Sequence, residues 1–315
     1  MTIKTDNLKL NDEKITNTIE SWRQKGQLRQ LCKRQIFTID SPSIETEKAT
    51  VVLIHGFPTS SWDWLPIWQT LNKHYRLVSL DMLGFGFSEK PNQRRYTIHG
   101  QADLFEALID ELGLKEYHIL AHDYGDTVAQ ELLARQYEAK GSGQCLSCCF
   151  LNGGLFPETH RALFTQKLLL SPIGAFVNRF NGYASFKKNF SSVFGPQSKP
   201  SEFELQVFWQ LINENDGKHL FHNLITYIND RKQHRERWLK PLQDSATPLA
   251  LVNGSVDPVS GKHMVERYKE LACRLDYLKE LEAIGHYPQV EAPQDVAGAY
   301  LEFMDQIACE ESENK

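Results

Sequence analysis

The sequence predicts an α/β fold, with a mostly parallel central sheet flanked by helices and a helical cap inserted into it. Three observations carry that reading. Short apolar runs recur with the length and β-branched content of strands buried on both faces: ATVVLIHG at 49–56, YRLVSLD at 75–81, EYHILA at 116–121 and LSCCFLNG at 146–153. Amphipathic helical patterns alternate with them, the signature of parallel β-α-β units. Between residues 155 and 244 the alternation stops, and TPLALVNGSVDP at 247–258 restores it.

In chain order, residues 1–30 form a polar extension, helical or loose, and RQIFTID at 34–40 is the first strand. After ATVVLIHG, the stretch SSWDWLPIWQTLNK has helical spacing, and YRLVSLD is the next strand. IHGQADLFEALIDELGL at 98–114 is an amphipathic helix, EYHILA a strand, and DTVAQELLARQYEA at 126–139 a helix that follows a tight turn. LSCCFLNG closes the first part of the core, residues 31–154. The cap, 155–244, is Phe-rich and helical in pattern. The second part of the core, 245–309, holds a strand, the helix VERYKELA, a last strand in RLDYLKELEAIGH and the closing helix PQDVAGAYLEFMDQIA.

Bulk properties exclude several classes. The chain of 315 residues is 41% hydrophobic and 24% charged, so a large folded core is expected rather than disorder. A net charge of −5 without a basic run argues against nucleic acid as a partner. No apolar run approaches the roughly 20 residues of a membrane span, and the polar start lacks the apolar core of a signal peptide. Three of the six cysteines, Cys145, Cys148 and Cys149, fall in one strand-like run and read as buried thiols rather than metal ligands. A cytoplasmic location and no cofactor are the expectation.

The chemistry concentrates in loops that follow strands, where open α/β sheets build their sites. HDYGD at 122–126 has the outline of a nucleophile elbow, a strand entering a tight turn and a helix, with Asp123 where such turns usually carry serine. Asp257 in NGSVDPV follows one strand and His286 in AIGHYPQ another. Taken singly, each is as well explained by turn or cap structure. Together, in the order nucleophile, acid, histidine, they read as a catalytic set. HGFP at 55–58 places the N–H of Phe57 for an oxyanion hole, and the N–H of Tyr124 supplies a second donor. Pro58 is compatible with a cis peptide bond. The loop DMLGFGFSEKP at 81–91 lacks phosphate-loop spacing and reads as a tight structural turn.

An aspartate attacking a carbonyl would leave a reactive anhydride. Attacking a saturated carbon, it displaces a halide or opens an epoxide and leaves an alkyl ester. Water deprotonated by His286 would then hydrolyse that ester, with Asp257 orienting the imidazole. The expected partners are therefore a small hydrophobic electrophilic substrate and water.

The motifs HGFP, DMLGFGFS, HDYGD and GHYPQ resemble the epoxide hydrolase and haloalkane dehalogenase branch of the α/β-hydrolases. GFPTSSWDW, LGFGFSEKP, HDYGDTVAQELLAR, NGGLFPETHR and HYPQVE are similar to stretches of the mesoderm-specific transcript protein family, over residues 20–307. The resemblance implies an α/β-hydrolase fold. Haloalkane dehalogenases usually carry Trp after the nucleophile; here it is Tyr124. Epoxide hydrolases use cap tyrosines to protonate the opening ring, and ITYINDRKQHRERW resembles the stretch that carries one, which singles out Tyr227. Tyr227 reads equally as a packing aromatic, and Tyr183 is a second cap tyrosine without fixed alignment. Asn152 matches the epoxide hydrolases at a position where some dehalogenases place their acid. His122 and Asp126 adjoin the elbow as supporting residues, Asp126 as a cap or turn residue. Glu158, His160 and Arg161 stand at the start of the cap, facing the pocket or forming a solvated turn. Epoxide hydrolysis is the leading expectation. Haloalkane dehalogenation and a non-catalytic small-ligand-binding protein on a hydrolase scaffold are the alternatives.

Overall fold

A computed structural model describes residues 2–41, 48–92, 95–159, 161, 164–179 and 182–313. The chain begins with helix α1 (Thr2–Arg23), strands β1 (Gly26–Leu31), β2 (Arg34–Ser41) and β3 (Thr50–Ile54), helix α2 (Leu65–Asn72) and strand β4 (Arg76–Leu80). Helix α3 (Ile98–Glu111), strand β5 (Glu116–His122), helix α4 (Tyr124–Tyr137) and strand β6 (Gln144–Leu151) follow.

Between β6 and the next strand the described residues form helices only: α5 (Phe164–Leu169), α6 (Gly174–Asn178), α7 (Tyr183–Ser192), α8 (Glu202–Asn213), α9 (Phe221–Leu224), α10 (Tyr227–Gln233) and α11 (Arg235–Asp244), with a 3₁₀ stretch at Glu214–Leu220. The chain then returns to the sheet with β7 (Leu249–Gly254), α12 (Lys262–Glu270), β8 (Tyr277–Leu281), α13 (Pro288–Glu291) and α14 (Pro293–Glu313).

The sheet runs β1-β2-β4-β3-β5-β6-β7-β8. From β4 to β8 every pairing is parallel, and β2 is antiparallel to both its neighbours. Every residue of β3 and β7 is buried, as expected for interior parallel strands covered on both faces. The crossover after β3 leads to β4 on one side, while β5 lies on the other. The ends of β3 and β5 therefore flank the topological switch point, where a crevice opens.

The stretch read as a polar extension belongs in part to the body of the protein. Gly26–Leu31 adds the edge strand β1, paired in register from Gly26↔Ile39 to Leu31↔Arg34. Ile15 and Trp22 of α1 are buried, and the Trp22 indole donates to Ser61 Oγ at 3.2 Å and meets Trp68 edge-to-face. A sparse set of apolar side chains docks this helix, too few to raise a periodic signal.

Helix α11 is fastened to α4 by Glu131, which is buried and accepts from Arg135 Nε at 2.8 Å, Arg237 Nε at 2.9 Å and the Trp238 indole at 2.8 Å. Burial opposes its charge, but these donors outweigh it and hold the carboxyl down at about 2. Glu131→Ala is expected to destabilise the fold by about 2 kcal/mol in urea titration. That is below the roughly 3–5 kcal/mol of a fully buried pair, because its arginines reach solvent. The folded value lies below the unfolded one, about 4.3. The ionic contribution is therefore fully present above that value and is lost as pH falls through about 2.

Candidate active site

The turn from β5 into α4 carries Asp123 with φ 49° and ψ −104°, outside the regions that non-glycine residues favour. A side chain on Gly125 would run into the carbonyl oxygens of Ile54 and His55, so glycine is what lets α4 start this close to β3. The loop after β3 approaches from the other side with a cis Phe57-Pro58 peptide. Phe57 N–H donates to Asp123 Oδ2 at 3.1 Å. The N–H of Tyr124 belongs to the first turn of α4, whose amides have no acceptor within the helix.

The other carboxylate oxygen of Asp123, Oδ1, lies 3.8 Å from His286 Nε2. His286 Nδ1 is 2.7 Å from Asp257 Oδ2. Asp257 is held by four further hydrogen bonds: Val259 N at 2.7 Å to Oδ1, and Ser260 N at 3.1 Å, Ser260 Oγ at 2.9 Å and Asn152 Nδ2 at 3.0 Å to Oδ2. All three residues of the Asp123–His286–Asp257 line are at least 95% buried.

Burial works against every charge in this line, but the partners prevail. Burial alone would raise Asp123; His286, then Arg231 and His122, hold it well below the usual carboxylate range. Burial would lower His286; the Asp257 and Asp123 carboxylates hold it well above its ordinary value. His122 is pushed down to about 4 by burial and by His286, so it is neutral, and its Nε2–H donates to the His286 carbonyl at 2.7 Å. Asp126, fully buried one turn along α4, is pushed well above the usual range by burial and by Asp123.

A cavity of about 320 Å³ reaches Asp123 and His286. Phe57, Val259 and Tyr287 wall it from the sheet side, and Leu169, Phe186, Phe190 and Phe221 from the helical insert, with Gln166, Ser185 and Asn189 as its polar points there. Such a space fits a small, mostly apolar molecule whose reactive carbon meets a carboxylate.

Phe57, Tyr124, Asp123, Asp257 and His286 thus converge. Tyr227 is buried next to them: its ring packs 4.6 Å from Tyr124 and 6.2 Å from Phe57, behind the cavity lining. Asn152 is not a pocket residue. Its Nδ2 also bonds Gly254 O at 3.0 Å and its Oδ1 accepts from Gly254 N at 2.7 Å, so both ends of the amide are spent fixing β7 and Asp257. Tyr183 is turned away as well, donating its hydroxyl to the exposed Glu202 at 2.7 Å and packing on Trp209. His160 lies outside the described residues. Glu158 pairs with Arg235 and Arg267 at the surface, which fits the solvated-turn reading. Gly84 and Gly86 adopt positive φ in a turn wrapped around Asp81, which accepts from Ser61 N and Phe87 N at 2.8 Å each. The three β6 cysteines are buried thiols.

Two site residues escaped the sequence reading. Tyr287 lines the cavity, and its hydroxyl donates to Phe57 O at 3.1 Å, bracing the loop that carries the Phe57 donor. Arg231 comes from α10, is 1% exposed, and donates from Nη2 to the Asp123 carbonyl at 3.2 Å. Its i+4 spacing from Tyr227 puts both on one helical face, a signal present in the sequence.

Residues 49–293 match the family described as alpha/beta hydrolase fold. The mesoderm-specific transcript homolog protein of Bos taurus is 41% identical over 302 residues, covering 92% of this chain and 89% of that protein. Its Homo sapiens counterpart matches with the same identity and coverage. A crystal structure of the haloalkane dehalogenase DbeA-M1 loop variant from Bradyrhizobium elkanii superimposes with a TM-score of 0.77 at 20% identity, over 92% of this chain and 99% of that one; this likeness shows the fold alone. No helix among the described residues is long and apolar enough to cross a membrane. The chain belongs to the α/β-hydrolase fold family, as a relative of the mesoderm-specific transcript proteins.

Proposed function

We propose that the protein is a hydrolase that forms an alkyl ester on Asp123 and that its substrates are small hydrophobic epoxides, released as diols. The observation that carries this reading is a carboxylate at the elbow with one oxygen on the Phe57 N–H and the other toward His286. Asp123 Oδ1 attacks an epoxide carbon, the C–O bond breaks, and the ring oxygen takes a proton from Tyr227, whose phenol has to turn into the cavity from its place beside Phe57. His286 Nε2 then removes a proton from water, whose oxygen attacks the Asp123 ester carbon. The oxyanion rests on the N–H groups of Phe57 and Tyr124. Collapse expels the second diol oxygen, which takes the proton from His286, and the other water proton restores the Tyr227 phenol. Asp257 keeps the imidazole in orientation and balances its charge. Residues 155–244 serve as the cap that closes the apolar cavity, and six free thiols fit a cytoplasmic setting.

Tyr227 discriminates epoxide from halide chemistry. An opening epoxide needs a proton, and a departing halide does not. Burial, then the Asp123 charge, hold the Tyr227 phenol above its ordinary value, so it keeps its proton for donation. Tyr227→Phe is expected to slow alkylation by an epoxide such as 1,2-epoxyoctane by roughly 10–10³-fold, while hydrolysis of an ester already formed is unaffected. Single-turnover intact-mass kinetics read both steps. An unchanged alkylation rate removes the case for epoxides. Chloride release from 1-chlorohexane, with no diol from epoxides, would establish dehalogenation instead.

A further inference from the structure

The stretch HYPQVE ends in a carboxylate that the reaction leaves unused, and that carboxylate sits against the backbone of the catalytic histidine. Glu291, half-buried at the end of α13, collects four donors. Its Oε1 accepts from Tyr287 N–H at 2.9 Å. Its Oε2 accepts from Gly285 N–H at 2.9 Å, Gly195 N–H at 2.8 Å and Ser198 Oγ at 2.5 Å. Tyr287 and Gly285 flank His286. Gly195 and Ser198 belong to the connection between α7 and α8 in the helical insert.

That connection also touches the histidine directly: His286 N–H donates to Val193 O at 2.9 Å. The successive amides of residues 285–287 are thereby all held, the outer two by Glu291 and the middle one by the insert. The His286 carbonyl accepts from His122 Nε2 at 2.7 Å, so both of its backbone groups are committed. The two segments meet closely. A side chain on Gly285 would overlap Val193 O and Gly195 N, and the Phe194 ring stacks on Tyr287 at 5.1 Å. The imidazole at the centre of this frame has little latitude: Nδ1 is 2.7 Å from Asp257 and Nε2 is 3.8 Å from Asp123 Oδ1. Displacing a catalytic group by about 1 Å can cost about 10²-fold in rate.

We propose that Glu291 is a positioning residue for His286, and that it acts by clamping the histidine loop to residues 193–198, which makes this piece of the insert a support for the base. This rests on the reading of His286 as the base of ester hydrolysis. Attack by Asp123 moves no proton through the imidazole, so a loosened clamp slows the second step and spares the first. The site calls for a carboxylate, which has two accepting oxygens and donates nothing. Glutamine offers one oxygen, and whichever way its amide turns, its NH₂ confronts an N–H donor. A role confined to fold stability, in which Glu291 merely closes the turn of α13, lowers the unfolding midpoint and leaves the imidazole and both rate constants unchanged.

Two measurements on Glu291→Gln separate these roles, and one of them needs no substrate. In the resting protein, ¹H NMR follows the Nδ1–H proton that His286 shares with Asp257, assigned by its disappearance in His286→Gln. Well below the unfolding midpoint, its exchange with water should be faster by about tenfold, the scale of losing a hydrogen bond to a charged group. In single turnovers of 1,2-epoxyoctane, ester hydrolysis should slow by about 10–10²-fold while alkylation stays near the parental rate. Ser198→Ala removes one donor from the insert side and leaves α13 untouched. It should move both readouts the same way by about threefold, and adding it to Glu291→Gln should change little further, because the two substitutions break one contact. Proton exchange and ester hydrolysis at parental values in Glu291→Gln overturn the proposal, whatever happens to the unfolding midpoint. If that variant does not fold, Ser198→Ala decides, and parental values there overturn it. If the parent forms no ester, the reading of Asp123 fails instead, and proton exchange alone decides the role of Glu291.

Discussion

Asp123→Ala is expected to lose about 10⁴-fold or more in turnover while circular dichroism still reports a folded protein. The loss follows from deleting the attacking oxygen. Phe57 N–H, His286 and Asp257 survive the change, but none of them can bond to a saturated carbon in place of Oδ1. Some cost in stability accompanies it, because Arg231 loses the carboxylate 4.0 Å away. The backbone turn itself is held by Asp123 N donating to Leu151 O at 3.1 Å and by the close approach at Gly125, neither of which needs the carboxylate. Near-normal activity in this variant would exclude a covalent role for the elbow.

His286→Gln should separate the two half-reactions. The imidazole contributes nothing to attack on the substrate carbon, so the ester on Asp123 should form and then persist. Hydrolysis should slow by about 10³-fold or more, the scale for losing an essential base from a coupled set. Intact-mass analysis after incubation with 1,2-epoxyoctane should show one added substrate mass, and peptide mapping should place it on residue 123. The Asp257 hydrogen bond is lost or weakened, yet Asp257 keeps its bonds from Val259, Ser260 and Asn152, so the acid stays in place. Normal turnover in His286→Gln would remove the loop at 285–289 from the mechanism.

What the sequence made legible follows a physical pattern. Strands β3 to β7 are apolar runs because both their faces are covered, and that leaves a strong local signal. Asp123, Asp257 and His286 were found because loops after parallel strands point into one crevice, a rule of topology. Strand β1 was missed because it lies at the sheet edge with mostly half-exposed or exposed residues, and its run, GQLRQL, reads as polar. Asn152, a pocket candidate because it matches the epoxide hydrolases after β6, turns its amide toward Gly254 and Asp257, and that depends on hydrogen bonds between residues more than 100 apart in the chain. The stretch around Tyr227 singled it out over Tyr183, whose surroundings fixed no alignment; the packing of α7 and α10 sends Tyr183 to the surface and Tyr227 beside the elbow. Arg231 was hidden inside a run of charged residues, most of which serve surface pairs such as Arg235 with Glu158 and Arg237 with Glu138.

The central claim is that the substrate carbon is attacked by Asp123 and not by water. A single turnover of 1,2-epoxyoctane with excess enzyme in H₂¹⁸O tests it most directly. The account predicts that the first diol carries oxygen from the protein and no label, and that one ¹⁸O is recovered in the peptide containing Asp123. Label in the diol of that first turnover, with an unlabelled Asp123 peptide, would contradict it.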